Sequence, residues 1–171
     1  MTSKFAAALA CALVASTSTA RAAEAPPDVI KTIAADYQLG CTAALDPTDA
    51  NLTAAFSFLS PDYVYTDAKG NKEPRDEIVS KGSQLMKQLH TTTCAPSIVS
   101  QSLNPDGTIT VVSALHLTGS LQTPDGNHNL EVDAITQDAW KQSASAWQEI
   151  SSQELHNTAK LDGTVIDDEG P

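Results

Sequence analysis

Two phenols and a carboxylate alternate along one short stretch of this chain. Tyr63, Tyr65 and Asp67 are separated by Val64 and Thr66. Because side chains of a β-strand point alternately to its two faces, the three polar groups are predicted to share a face. A carboxylate in an apolar pocket can take a proton from an acidic C–H bond when burial raises its pKa. Asp67 is therefore the leading pocket candidate, and no catalytic residue is assigned.

Two further side chains could reach the same pocket. His116 lies in the middle of a predicted strand among apolar residues, and Trp140 lies near the end of another. A histidine or tryptophan in such a place more often fills a core than binds a ligand. The predicted pocket residues are Tyr63, Tyr65, Asp67, His116 and Trp140.

Other kinds of site find no support in the sequence. It has no glycine-rich phosphate loop, no nucleophile elbow and no cluster of residues with the spacing of metal ligands. We therefore predict no metal site and no cofactor.

The first 22 residues have the features of an export signal. Lys4 supplies a positive charge, residues 5–15 are apolar, and Ala20-Arg21-Ala22 offers a small-residue cleavage site. The sequence thus predicts a signal peptide over 1–22 and a periplasmic or extracellular mature protein. The apolar run is too short to cross a bilayer, so no membrane insertion is predicted.

Two cysteines, Cys41 and Cys94, follow the predicted signal peptide. In an oxidising compartment they are predicted to form a disulfide, with two buried free thiols as the alternative. The chain also carries 21 acidic and 10 basic residues, a formal net charge of −11. Such a surface repels nucleic acid and anionic membranes, so neither is predicted as a partner.

The spacing of apolar residues changes from helical to alternating along the chain. Periods of three and four residues predict a helix from Pro26 to Leu45, a second after Thr48 or Asp49, and a third after Pro74. A short strand is predicted over 62–67. From Cys94 onward, alternation and two Pro-Asp-Gly turns predict antiparallel strands at about 95–103, 108–122, 128–141 and 146–157. We predict one domain over 26–160 and an acidic, flexible tail over 161–171.

This order of elements resembles the nuclear transport factor 2-like superfamily, in particular its SnoaL-like and ketosteroid isomerase-like secreted bacterial members. The segments that carry the resemblance are 59–67 with 75–78, and the hairpin from Trp140 to Gln153. The resemblance implies an α+β, cone-shaped fold in which three N-terminal helices pack against a strongly bent, mainly antiparallel sheet around a pocket.

The same resemblance bears on catalysis. In the ketosteroid isomerase branch a first-strand aspartate is the general base, and Asp67 stands at the matching position. Cys41 stands where that branch has its essential tyrosine, and Thr136 or Gln137 lies near the position of its second acid, with Asp133 and Asp138 offset. The set of catalytic groups is therefore incomplete.

Three functional hypotheses remain. The favoured one is a secreted domain that binds a small apolar or amphipathic molecule in an apolar pocket, with no committed catalytic set. The second is an isomerase, dehydratase or cyclase with Asp67 as general base and Tyr65 or His116 as its partner. The third is an interaction module that forms homodimers through the outer face of its sheet.

Overall fold

The computed structural model describes residues 23–144 and 146–170. The predicted signal peptide over 1–22 lies outside the described residues. Within the described ranges, three helices and seven strands follow one another. Their bounds are α1 Pro27–Leu45, α2 Asp49–Ala55, β1 Leu59–Thr66, β2 Lys72–Pro74, α3 Arg75–Gln88, β3 Leu89–Leu103, β4 Ile109–Thr123, β5 Gly126–Ser143, β6 Ala146–Leu161 and β7 Thr164–Glu169.

The predicted helix starts are confirmed. Proline occupies the first turn of α1, where no intrahelical N–H bond is lost. At the start of α2 the hydroxyl of Thr48 accepts a hydrogen bond from the backbone N–H of Asn51 (3.2 Å), as an N-cap does. Strand β1 begins at Leu59, three residues before the start of the strand predicted over 62–67. Pairing with β6 is the reason, because the carbonyl of Phe58 accepts from the N–H of Glu149 (3.0 Å).

The strands form one open sheet in the order β2-β1-β6-β5-β4-β3, with β7 paired to β6 beyond β1. All neighbours are antiparallel except β1 and β6, which are parallel. The register shifts in the pairs β3–β4 and β5–β6, and such bulges bend and twist a sheet. The sheet therefore curls around the helices, as the predicted cone-shaped α+β fold requires.

The C-terminal segment differs from the prediction. A flexible tail was expected over 161–171, but Thr164–Glu169 forms β7 along the edge of β6. The two turn residues, Asp162 and Gly163, have φ angles of 49° and 79°. Asp-Gly in this left-handed conformation makes the tight hairpin turn that joins β6 to β7. The tail prediction overlooked this dipeptide.

The main core lies between α1 and the middle of the sheet. Trp140 is fully buried, with the ring of Phe58 stacked on it (centroids 5.4 Å apart) and the ring of Tyr37 edge-on (5.7 Å). The other buried apolar side chains of this cluster are Ala25, Ile33, Ile109 and Val111. In the described part of the chain, no helix has both the length and the apolar character needed to cross a membrane.

Candidate functional site

A cavity of about 260 Å³ lies between α1, α3 and the inner face of strands β3 to β6. One part of its wall is apolar and the other is polar. The apolar part consists of Gly40, Cys41, Ala44, Met86, Cys94, Pro96, Ala114, Leu115, Leu117 and Ala134. The polar part consists of Tyr37, Ser113, Thr136, Asp138, Glu149 and Ser152.

The two kinds of wall lie at opposite ends of the cavity. Along β4 the lining runs from Ser113 through Leu115 to Leu117, and the strand register places Thr136 beside Ser113 and Ala134 beside Leu115. Three of the polar groups are almost fully enclosed, since Asp138, Glu149 and Ser152 are 2%, 4% and 5% exposed. The cavity therefore has an apolar body and a buried polar end.

Asp138 accepts four hydrogen bonds at the polar end of the cavity. Its Oδ2 accepts hydrogen bonds from the hydroxyls of Tyr37 (2.6 Å), Ser113 (3.1 Å) and Thr136 (3.1 Å), and its Oδ1 accepts from Ser152 (2.6 Å). Four hydroxyl donors thus fill most of the acceptor positions on its two oxygens. The Trp140 indole N–H donates to the Tyr37 oxygen (3.3 Å), which fixes the ring of Tyr37. Asp138 is thus a carboxylate held in place by its neighbours.

Glu149 is a second buried acid at the same end. Burial is the largest cause of its raised pKa, and the negative charges of Asp138 and Asp36 raise it further. The Tyr63 hydroxyl interacts with Glu149 and lowers this pKa, but the other effects outweigh it. The Glu149 carboxyl is therefore harder to ionise than an exposed glutamate.

The predicted disulfide between Cys41 and Cys94 is confirmed, with Cα atoms 5.4 Å apart. Both half-cystines line the cavity, so the covalent link between α1 and β3 is also part of its wall. The alternative of two free thiols does not hold in this structure.

The alternation predicted for the first strand is present, but its three polar groups go to different places. Tyr63 is buried beside Glu149 and Ser152, behind the polar end of the cavity, and burial is the largest cause of its raised pKa. The Tyr65 hydroxyl donates to Glu154 Oε2 (2.5 Å) and is not among the groups that line the cavity.

Asp67 is placed differently from the expectation that it faces the pocket. Its carboxylate accepts from the backbone N–H of Lys69 (3.0 Å) and from the backbone (2.7 Å) and side-chain (2.7 Å) N–H groups of Asn71. These bonds, the Asn71 side chain first, lower the pKa of Asp67. A base for C–H chemistry needs the opposite shift. Asp67 thus organises the β1–β2 turn, because an aspartate readily bonds the backbone that follows it.

The last two predicted pocket residues also lie outside the cavity wall. His116 points to the opposite face of β4 from Leu115 and Leu117, and its Nδ1 lies 2.7 Å from Asp133 Oδ1, with nearly half of both side chains exposed. Trp140 belongs to the core and contacts the site only through Tyr37. Of the five predicted residues, the structure places Tyr63 beside Glu149 and Ser152 and Trp140 beside Tyr37, and none of the five lines the cavity itself.

None of the six polar residues of the cavity wall is among the predicted pocket residues; the six are Tyr37, Ser113, Thr136, Asp138, Glu149 and Ser152. The sequence held a signal for one of them. Trp140 was expected to be buried on β5, and counting back two positions along a strand reaches the same face at Asp138. For Glu149 no such signal existed, because the register of β6 shifts between Ala139 and Trp140 on its partner strand.

The site combines carboxyl and hydroxyl groups with no cationic side chain in its described wall. The cavity wall contains no lysine, arginine or histidine within the described ranges 23–144 and 146–170. In the same ranges, no group of three or more histidine, cysteine, aspartate or glutamate residues is arranged to hold a metal ion. The arrangement can enclose an apolar body and present hydrogen-bonding acids to one end of it.

Sequence comparison identifies no relative of this chain: no family model and no curated protein matches it. Comparison by structure gave many similar folds. A nuclear transport factor 2-like protein from Cytophaga hutchinsonii aligns with a TM-score of 0.56 at 15% identity, covering 73% of this chain and 95% of its own. A ketosteroid isomerase-like protein from Erwinia carotovora atroseptica aligns with a TM-score of 0.55 at 15% identity, covering 82% and 95%.

An enzyme also shares the architecture. A hexachlorocyclohexane dehydrochlorinase aligns with a TM-score of 0.54 at 9% identity, covering 82% of this chain and 88% of its own. Identity this low shows the fold and not the activity. The predicted nuclear transport factor 2-like fold is thereby confirmed.

Proposed function

We propose that this chain, which has the nuclear transport factor 2-like fold, binds a small and largely apolar molecule in the cavity between α1, α3 and the sheet. The observation that carries the proposal is the cavity itself, with apolar walls and a few convergent polar groups at one buried end. This combination is typical of small-molecule sites. A core built only for stability would be filled, because protein interiors are close-packed.

The size of the cavity limits the ligand. Sites for drug-sized molecules measure about 300–1,000 Å³, and an engineered apolar cavity of about 150 Å³ holds benzene. A space of about 260 Å³ suits one ring with a short substituent, or an aliphatic molecule of similar volume. The apolar walls take up the body of the ligand, and the end with Asp138 and Glu149 takes up its polar group.

Binding is proposed in preference to catalysis for two reasons of geometry. All four hydrogen bonds that reach Asp138 come from hydroxyl groups of the protein, which leaves this carboxylate little capacity to accept a proton from a substrate. Asp67, the base implied by the resemblance to the isomerases, is bound within its own turn.

A thermal-shift screen with monocyclic and short aliphatic compounds tests the proposal. We expect compounds that fit the cavity to raise the unfolding temperature, and Gly40→Leu to abolish that shift by placing a side chain in the cavity. Ala35→Leu is the matched control, because Ala35 lies on the exposed side of the same helix. Equal shifts in Gly40→Leu and the unaltered protein, or no shift with any compound, would refute binding in this cavity.

Export remains part of the proposal. The features of residues 1–22 and the disulfide both support a periplasmic or extracellular location. Fractionation of the producing cells, with mass determination of the N-terminus, tests it, and a full-length protein in the cytoplasm would contradict it. The expected homodimer stays a prediction, which light scattering at micromolar concentration can examine.

A further inference from the structure

The polar end of the cavity holds two carboxyl groups and, among the described residues, no cationic side chain. Asp138 and Glu149 line it, and the charge of Asp36 on α1 acts on Glu149 as well. No ion pair with a lysine, arginine or histidine reaches Asp138 or Glu149 from the residues that the structure describes. Buried charges in proteins are normally paired or bound to a metal ion.

The two acids are not equivalent. Asp138 is satisfied by hydroxyl donors from Tyr37, Ser113, Thr136 and Ser152. Glu149 is 4% exposed and lines the same cavity, and among the described residues the Tyr63 hydroxyl is the hydrogen-bonding group that acts on it. The carboxyl of Glu149 is therefore the group left to meet a ligand.

Resting on the proposed function, we propose that the ligand is a lipophilic cation, a small protonated amine whose apolar body fills the cavity and whose ammonium group contacts the Glu149 carboxylate. The ammonium group supplies the positive charge that the described wall lacks. It can donate to Glu149 while Asp138, fixed by its hydroxyl donors, adds a favourable charge from the neighbouring strand. A metal ion is the poorer match, because the described residues offer no group of three ligands.

The same charges exclude other ligands. At the polar end a carboxylate or phosphate group would meet Asp138 and Glu149, with the charge of Asp36 nearby, and no cationic side chain of the described wall would compensate. Like charges at such a site repel strongly because little water screens them. A neutral alcohol or ketone is accepted but gains only an uncharged hydrogen bond.

Binding of a protonated amine is expected to release a proton from Glu149. The titratable groups around Glu149 are Asp138 on β5, Asp36 and Tyr37 on α1, and Tyr63 on β1. The two aspartates and burial favour the neutral carboxyl when no ligand is bound. An ammonium group reverses the balance, so Glu149 gives up its proton to solvent as the ion pair forms. Affinity for the amine should rise with pH until the amine itself loses its proton.

Four probes with one common ring test the inference, and each is titrated by calorimetry into the whole protein. They are cyclohexylmethylamine, cyclohexylmethanol, cyclohexyl methyl ketone and cyclohexanecarboxylic acid. A charged hydrogen bond exceeds a neutral one by enough to make the amine about tenfold tighter than the alcohol. We also expect no binding of the acid, and proton release with the amine when buffers of different ionisation enthalpy are compared.

Two variants assign the effect to Glu149. In Glu149→Gln the ratio of amine to alcohol affinity should fall to about one, and the proton release should vanish. Glu154→Gln is the matched control, because Glu154 lies on the same strand, bonds Tyr65 and does not line the cavity. It should keep the ratio. If Glu149→Gln does not fold, proton release by the unaltered protein still decides the question.

The titrations and the thermal-shift screen together distinguish failure of the amine inference from failure of the proposed function. Binding of the alcohol or ketone as tight as that of the amine, or binding of the acid, overturns the inference and leaves the proposed function standing. Failure of all four probes while other compounds of the thermal-shift screen bind overturns it as well. If no compound of either set binds, the proposed function itself is refuted.

Discussion

Gly40 is a helix-destabilising residue in α1, and its position in the cavity wall accounts for its presence there. It lies in the interior of the helix Pro27–Leu45 and lines the cavity, and a Cβ atom built there meets no other atom within 4 Å. Glycine inside a helix costs about 1 kcal/mol relative to alanine, because its backbone loses more freedom on folding. The free space above Gly40 is therefore maintained at a cost to stability.

Replacement of this glycine should separate stability from binding. Gly40→Ala is expected to raise the free energy of unfolding by about 1 kcal/mol, which corresponds to a rise of about 2–4 °C in unfolding temperature for a domain of this size. Gly40→Leu gains the same helix propensity and buries apolar surface in the cavity, so it should be at least as stable. We expect it to lose ligand binding.

Differential scanning calorimetry without ligand measures the first effect, and titration of a bound compound measures the second. Gly119→Ala is the contrasting control, because its Cβ would lie 2.6 Å from the carbonyl oxygen of His90. That clash requires backbone to move, and we expect a loss of about 1–3 kcal/mol. The reasoning is refuted if Gly40→Ala lowers stability, or if Gly40→Leu binds ligand as well as the unaltered protein.

Three further predictions concern the disulfide, Glu149 and Asp67. Loss of the bridge in the double variant Cys41→Ala, Cys94→Ala should lower the free energy of unfolding in urea by up to about 4 kcal/mol, since the link closes a loop of 53 positions; titration of the unreduced protein should find no free thiol, and two thiols would contradict the bridge. The pKa of Glu149 is higher in the folded protein than in the unfolded chain. Its contribution to the free energy of unfolding is therefore fully present below the unfolded pKa of about 4.3 and is lost as pH rises through the folded pKa. Urea unfolding between about pH 4 and pH 8 should therefore show a steeper loss for the unaltered protein than for Glu149→Gln, and parallel curves would mean that Glu149 is charged in the fold. Asp67→Asn should leave ligand affinity unchanged in calorimetry because Asp67 lies in the β1–β2 turn, whereas a tenfold loss would place it in the site.

The fold was predictable because its signals are local and repeated. Apolar periods marked α1 and α3, the hydroxyl of Thr48 marked the start of α2, and two Pro-Asp-Gly turns marked the long hairpins. The disulfide followed from the number of cysteines and the predicted compartment. The predicted tail over 161–171 differs from the structure because the Asp162-Gly163 dipeptide forms a tight turn that starts β7.

The site was much less predictable because it depends on register. Asp67 and the tyrosines of β1 were chosen for alternation within one strand, and that alternation is present. Which partner a side chain meets is decided by the neighbouring strands and their bulges, as the shift between Ala139 and Trp140 shows. Glu149 reaches the cavity through such a shift, which no pattern along the sequence encodes.

The parallel pairing of β1 with β6 has a consequence for how this chain can be made. The hydrogen bond from Tyr37 to Asp138 joins positions 101 residues apart, and β1 finds its place in the sheet only beside a strand near the C-terminus. Contacts this distant along the chain slow folding, because a long loop must close before any of them forms. Both cysteines precede β4, so α1 and β3 can be joined before the rest of the sheet exists. A chain that has been synthesised only as far as β5 therefore lacks Glu149 and Ser152, and the polar end of the cavity is complete only after β6 has followed.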